Sequence, residues 1–263
     1  MEKSVLLIGV GWLGKQILQT FSRNGIFVGA CSRSEEKLCQ MIPLMAKYLV
    51  TTEETSFKLT ALGSETRQIS SYSHCVICLP PYAALKHHIK DILHQLQPNA
   101  TVIFCSSIGI YHPAKTINEL SLLKKDHLLF EQELEVKKHR HVILRLGGLV
   151  GSGRHPIYSL VKNKRQVYKG DTVNLIHAKD ICSIILKLVR QEVFNKIYNV
   201  VYPNHMRKGE YYEQSANALL GTFIETLDGG QEKIVDGHRV VDDLGMNYQY
   251  PIDNWNSFSE NNN

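Results

Sequence analysis

With 263 residues, 43% hydrophobic and 21% charged, the chain has the make-up of a globular protein with a full core, and neither a disordered nor a membrane class fits it. A formal charge of +5, scattered along the chain, gives no ground for a nucleic-acid partner and would suit an anionic small molecule. No export signal or bilayer-spanning stretch is read from the sequence, so the six cysteines are expected as reduced thiols in a cytoplasmic protein.

The first apolar run, residues 5–8, ends in Gly9-Val10-Gly11-Trp12-Leu13-Gly14, a G-x-G-x-x-G turn. In that pattern the first glycine makes the tight turn, the second lets backbone approach a pyrophosphate, and the third lets the next helix pack against the strand. Leu13, Ile17 and Phe21 recur at helical spacing, Asn24-Gly25 stops the helix, and residues 26–31 supply a second strand. This order predicts a dinucleotide held by Gly9, Gly11, Trp12, Leu13 and Gly14, its phosphates facing the free N–H groups of the helix. Ser32-Arg33-Ser34 stands where an NAD-selective site places an acid on the ribose hydroxyls. Arg33 can pair with a 2′-phosphate and Ser32 can donate beside it, so NADP is expected, with NAD as the alternative if Glu35 or Glu36 reaches the ribose.

Residues 48–50 read as a short third strand, followed by a polar loop and a weakly helical stretch to about 68. Residues 74–79 form an apolar strand stopped by Pro80-Pro81, and Leu79 and Pro80 are expected to cross beneath the cofactor. A helix follows through Leu85, Ile89, Ile92 and Leu96. Its His87, His88 and His94 have no supporting carboxylate or cysteine spacing and are expected on the exposed face, so no metal is expected. Cys75 and Cys78, three apart in a strand, point to opposite faces and read as buried structural thiols.

Residues 101–105 form the next strand and carry Ser106, Ser107 and Tyr111 to the carboxyl edge of the sheet, where open parallel sheets bind ligands. Ser107 is a candidate to orient a substrate oxygen and Tyr111 to supply a proton, against a solvated loop with a packed tyrosine; Ser106 is placed at the cofactor. A helix is expected over 120–137, with His127 and Glu131 four apart on one face. The sixth strand, residues 141–146, leads into Gly147-Gly148-Leu149-Val150-Gly151-Ser152-Gly153-Arg154-His155-Pro156. There the chain leaves a dinucleotide-binding domain, residues 1–150 with Gly147 at the cofactor, for a smaller C-terminal substrate lobe, residues 151–263. Residues 173–201 are expected to return to the main sheet through an apolar helix over 181–189 and a strand over 197–201. A helix near 211–220, a short strand at 234–235 and a helix near 239–244 complete the lobe, and 260–263 are expected without structure. The fold class is α/β, a Rossmann doubly wound parallel sheet with that smaller lobe.

Together the glycine turn, Ser106-Ser107-x-x-x-Tyr111, the Leu144-to-Pro156 exit, Asn174-Leu-Ile-His177-Ala-Lys-Asp180 and Tyr198-Asn199-Val200 resemble the extended short-chain dehydrogenase/reductase superfamily, which holds NAD(P)-dependent epimerases and dehydratases. Gly-x-Gly-Trp-Leu-Gly, Gly-Arg-His-Pro, Asp236-Gly237-x-Arg239 and Tyr248-Gln-Tyr250-Pro251 are similar to its atypical, YeeZ-like bacterial subgroup. The resemblance implies a Tyr and a Lys four apart on the helix after the fifth strand, with a Ser before it. Ser107 matches the Ser, whereas His127 and Glu131 take the other two places. A His-Glu relay is physically possible, with Glu131 accepting from the nicotinamide ribose; loss of catalytic duty on that helix face is the alternative.

These features imply an NADP(H)-binding oxidoreductase or epimerase/dehydratase-like enzyme acting on a small polar substrate. Ser107, Tyr111 and His127 would carry the chemistry, and Arg154, His155 and Asn174 would bind the substrate. The alternative is a non-catalytic NADP(H)-binding sensor. A homodimer is compatible with the resemblance, and no membrane partner is expected.

Overall fold

The computed structural model describes residues 3–31, 49–50, 60–61, 69–82 and 85–258. Ser32 and Arg33, and the expected unstructured end at 260–263, lie outside the described residues. In chain order the elements are β1 (Ser4–Ile8), α1 (Trp12–Arg23), β2 (Phe27–Cys31), β3 (Leu49–Val50), β4 (Thr60–Ala61), β5 (His74–Ile77), α2 (Leu85–Gln95), β6 (Thr101–Ser107) and β7 (Thr116–Ile117). They continue as α3 (Leu128–Val136), β8 (His141–Leu146), β9 (Gly148–Val150), α4 (Pro156–Lys162), β10 (Val167–Tyr168), β11 (Leu175–His177) and α5 (Ala178–Gln191). Last come β12 (Lys196–Val200), α6 (Lys208–Leu220), β13 (Thr226–Leu227), β14 (Ile234–Val235) and α7 (His238–Leu244).

A parallel sheet of six strands, in the order β12-β8-β6-β5-β1-β2, forms the centre. Its strands are apolar runs because both faces are covered: Val5, Leu6 and Leu7 of β1, Val76 and Ile77 of β5, and Val102, Ile103 and Phe104 of β6 are all 0% exposed. Ile8 of β1 is in register with Ile77 of β5, and Ile77 with Phe104 of β6. The carboxyl ends of β1 and β6 therefore open at one edge, two strand spacings or roughly 10 Å apart. Helix α1 starts at this edge and buries Leu13, Ile17, Leu18 and Phe21. It ends at Asn24, followed by Gly25 at φ +68.

The short third strand is present, with Leu49 and Val50 paired antiparallel to Ala61 and Thr60 in a ribbon of their own. Two apolar residues followed by Thr51-Thr52-Glu53-Glu54 are too short a run for a strand covered on both faces. The helix expected over 120–137 starts only at Leu128. Leu120 and Leu122 are 90% and 79% exposed, and the preceding segment folds back on itself through a Tyr111–Leu123 bridge. Strand β11 pairs with β9 in a two-stranded sheet, while β12 forms one edge of the main sheet.

Two compact units interleave along the chain. The first comprises Met1–Ile110, Lys124–Leu144 and Cys182–Ile197; the second comprises Tyr111–Leu123, Arg145–Ile181 and Tyr198–Asn263. The second has its own core, in which Val150, Ile157, Val173, Leu175, Tyr211 and Phe258 are buried together.

Candidate functional site

In the first unit the glycine turn divides its labour as the spacing requires. Gly9 sits at φ +97, and a Cβ there would lie 2.4 Å from the Cys78 carbonyl oxygen and 2.8 Å from Leu79 Cδ2. Thus the Leu79 segment packs directly against the turn. A Cβ on Gly14 would come within 2.1 Å of the Gly9 carbonyl oxygen, so helix and turn touch backbone to backbone. Gly11 differs: nothing lies within 4 Å of where its Cβ would be. It is also the N-cap of α1, with no side chain capping the helix. The first intrahelical bond runs from Lys15 N to Gly11 O, so the N–H groups of Trp12, Leu13 and Gly14 precede the helical ladder. An open glycine at an uncapped helix start is a cradle that fits a pyrophosphate.

At the end of β6, Ser106 and Ser107 part company. The Ser106 hydroxyl is buried and donates to Glu133 Oε1 at 2.7 Å, tying the strand to α3. Ser107 Oγ is half-buried and accepts from Gly109 N at 3.1 Å, which leaves its O–H proton for another acceptor. A Cβ built on Gly109 would lie 3.3 Å from Ser107 Oγ and 3.5 Å from His127 Nε2. The two side chains therefore converge on one face of Gly109.

His127 reaches that place because it caps α3 instead of riding on it. Its Nδ1 accepts from Leu129 N at 3.2 Å. A ring accepting at Nδ1 carries its proton at Nε2 when neutral, so the cap assigns a donor N–H to the side facing Gly109. Lys124 adds a cation beside the same turn, its ammonium donating to the Gly109 carbonyl at 3.4 Å.

The expected His127–Glu131 pair is not joined. Glu131, half-exposed, accepts from Lys86 of α2 at 2.6 Å, and that carboxylate raises the Lys86 pKa. The four-residue spacing lost its meaning once the helix began after position 127. Lys86, Lys124 and Glu133 escaped sequence reasoning because chain closure, not spacing, makes their contacts.

In the second unit the remaining candidates are engaged in the fold. Tyr111 is 0% exposed; its hydroxyl donates to Asn199 Oδ1 at 2.6 Å and accepts from Arg145 Nη1 at 2.8 Å. Arg145 is itself buried, and Glu119 Oε1 accepts from Asn199 N at 3.1 Å. Gly147 has no room for a side chain, since a Cβ would lie 2.7 Å from the Asn174 carbonyl oxygen. The Asn174 amide donates to the Lys233 carbonyl and accepts from Val235 N, which stitches residues 233–235 in place. His155 is buried among Tyr158, Tyr211, Tyr212, Trp255 and Phe258, with Nε2 at 2.8 Å from the Tyr211 hydroxyl. Burial lowers its pKa to about 4. Arg154 is exposed on the turn closed by its bridge to Gly151.

Of the histidines of α2, His87 and His94 are exposed, while His88 is half-buried at 2.7 Å from the Tyr82 hydroxyl. Among the described residues no three of His, Cys, Asp and Glu are placed to hold a metal ion. No helix among them is long and apolar enough to cross a membrane.

No family model matches the chain. Over 281 aligned residues it is 29% identical to Protein YeeZ of Escherichia coli K12, covering 95% of this chain and 97% of that one. Human epimerase family protein SDR39U1 (isoform 2), solved with NADPH, matches it at TM-score 0.67 and 16% identity over 98% of both chains. The Bordetella bronchiseptica enzyme WbmH, solved with NAD+, matches at TM-score 0.69 and 12% identity over 98% of this chain and 97% of that one. The chain shares the fold of these two solved structures, and by sequence it is similar to YeeZ. Its α3, Leu128–Val136, contains neither tyrosine nor lysine.

Proposed function

We propose that the chain binds a nicotinamide dinucleotide at the Gly9–Gly14 turn and acts on a small polar substrate as an oxidoreductase or epimerase/dehydratase-like enzyme. The observation that carries the catalytic reading is the convergence of Ser107 Oγ and His127 Nε2 on Gly109, in the same unit as the open, uncapped turn at Gly11. NADPH in SDR39U1 and NAD+ in WbmH support a nicotinamide cofactor, which supplies or accepts hydride when bound.

In the reductive direction Ser107 donates its hydroxyl proton in a hydrogen bond to the substrate carbonyl oxygen and holds it in place. His127 gives its Nε2 proton to that oxygen from the imidazolium form, in which Nδ1 has released the Leu129 N–H, and the neutral ring left behind takes the proton back at Nε2 in the oxidative direction. Lys124 favours the anionic oxygen by its charge. The proton falls to His127 and not to Tyr111, whose hydroxyl already has a buried donor and a buried acceptor.

NADP is favoured over NAD by Arg33, with no acid beside it to hold the ribose hydroxyls. The test is a titration of both reduced coenzymes followed by a reductase screen. We expect NADPH to bind more tightly, Arg33→Ala to remove most of the difference, and turnover to disappear in both Ser107→Ala and His127→Ala. Equal coenzyme affinities defeat the NADP assignment, and turnover surviving both substitutions defeats the site.

The absence of Tyr and Lys on α3 favours a second reading, a coenzyme-binding sensor without turnover. Firm NADPH binding with no oxidation of it across a broad panel of carbonyl substrates would decide for the sensor.

A further inference from the structure

A cavity of about 540 Å³ opens in the second unit among Pro113, Ala114, Lys115, Asp171, Thr172, Lys208, Gln231, Glu232 and Lys233. We infer that it is a binding site for a phosphorylated, hydroxyl-bearing small molecule. The inference is independent of the glycine turn, which belongs to the first unit.

The walls are fixed by backbone. Strands β7 and β14 run in parallel with Thr116 opposite Ile234, so Lys115 and Lys233 precede them as register neighbours. The Ile234 N–H donates to the Lys115 carbonyl at 2.7 Å. Across the cavity a bridge between Thr172 and Arg207 brings Asp171 against Lys208, and the Lys208 N–H donates to the Asp171 carbonyl. Thr172 Oγ1 accepts from Lys233 N at 2.9 Å and donates to the Lys233 carbonyl, which joins the two walls. A ligand would meet a frame already built.

The charges on that frame are unbalanced. Lys115, Lys208 and Lys233 line the cavity and Arg207 flanks it, against two carboxylates, Asp171 and Glu232. Glu232 serves two cations, Lys115 at 3.0 Å and Arg207 at 3.3 Å. Asp171 accepts from Lys208 at 2.8 Å and from Gln231 N at 2.9 Å. The Lys115 and Arg207 side chains are 76% and 50% exposed, and ion pairs of such exposure are weak. A phosphate dianion can draw these cations away from Glu232 and gains charge-assisted hydrogen bonds from them. The carboxylates then serve a second purpose, since Asp171 and Glu232 can accept from ligand hydroxyls. The volume is that of a small-metabolite pocket.

The probe is ribose 5-phosphate titrated into the full chain, with ribose and inorganic phosphate as controls, followed by calorimetry and by amide shifts of residues 114–115 and 231–233. We expect ribose 5-phosphate to bind with a Kd of about 1 mM or tighter, inorganic phosphate more weakly, and ribose not at all. Lys115→Gln with Lys233→Gln should weaken the ester by roughly tenfold, about what the loss of charge-assisted contacts gives. Glu232→Gln, which frees Lys115 and Arg207, should tighten inorganic phosphate several-fold, a gain that a merely structural Glu232 would not produce. The inference is overturned if the ester shifts none of these amides, if ribose binds as well as its phosphate, or if the double variant binds like the parent. Circular dichroism of each variant verifies folding, and every lysine substituted here is partly or largely exposed, so retained structure is expected.

Discussion

Gly11 and Gly14 sit three residues apart in one turn, yet substitution at them tests different things. An alanine at Gly11 would stand in open space, on a backbone of φ −83 that any residue adopts. The folded chain should tolerate it, with a stability change within about 0.5 kcal/mol. The new methyl would occupy the approach to the helix N-terminus, so coenzyme affinity should fall tenfold or more, about 1.4 kcal/mol. Calorimetric titration beside thermal melting measures both, and an unchanged affinity would remove the dinucleotide from this turn. At Gly14 the methyl would meet the Gly9 carbonyl oxygen at 2.1 Å, so Gly14→Ala should lower the melting temperature whether or not a ligand is present. Tyr111 gives a third contrast. Tyr111→Phe removes the donor to Asn199 Oδ1 and the acceptor for buried Arg145, which costs about 1–3 kcal/mol. Because proton transfer is assigned to His127, catalysis in the folded fraction should be preserved; its selective loss, with stability intact, would return the proton to Tyr111.

At the scale of elements, Ser106 and Glu133 decide how β6 and α3 meet. Their buried bond fixes the loop bearing Ser107 against the helix start bearing His127. Ser106→Ala should remove one hydrogen bond to Glu133, costing about 1 kcal/mol, and should broaden the amide signals of Gly109 and Leu129 together. Independent behaviour of those two signals would show that the bond holds no such joint. The central strands were legible because a strand covered on both faces has to be an unbroken apolar run, as in Val5-Leu6-Leu7-Ile8 and Val142-Ile143-Leu144. The glycine turn was legible because Gly9 and Gly14 meet backbone where no Cβ fits, and Gly11 keeps the motif's spacing between them. Residues 120–127 were not. Leu120 and Leu123 stand at helical spacing with the apolar residues of α3, yet the chain pairs Leu123 with Tyr111 and leaves Leu120 in solvent. No local preference announces a pairing that needs distant backbone to arrive first. The same reason hid Lys124 and Lys86. Asn174 and His155 were legible as distinctive residues but not as structural ones, since only the folded lobe shows their polar atoms engaged.

For the molecule as a whole, the buried titratable groups set a pH range. Burial, the largest influence on each, lowers the His74, His155 and His177 pKa values to about 4. The unfolded chain, with histidines near 6.5, takes up these protons first, so their contribution is present above about 6.5 and lost as pH falls toward 4. Asp180 acts in the opposite sense. Burial raises it to about 6, even though it accepts from Gln249 N and Tyr250 N. It therefore favours the folded state at low pH, and that advantage is lost as pH rises through about 6. His74 belongs to the first unit; His155, His177 and Asp180 belong to the second. Near pH 5 each unit consequently has a net excess of one proton in its unfolded form. Stability should climb with pH by about 1.4 kcal/mol per pH unit for each unit, and flatten above about 6.5. Lowered His139 and His205 steepen the slope in the same direction. Denaturant midpoints measured from pH 4.5 to 7.5 read this directly, and His74→Gln should flatten the first unit's slope while leaving the second unit's intact. A stability independent of pH across that range would mean that these histidines are not held neutral by burial.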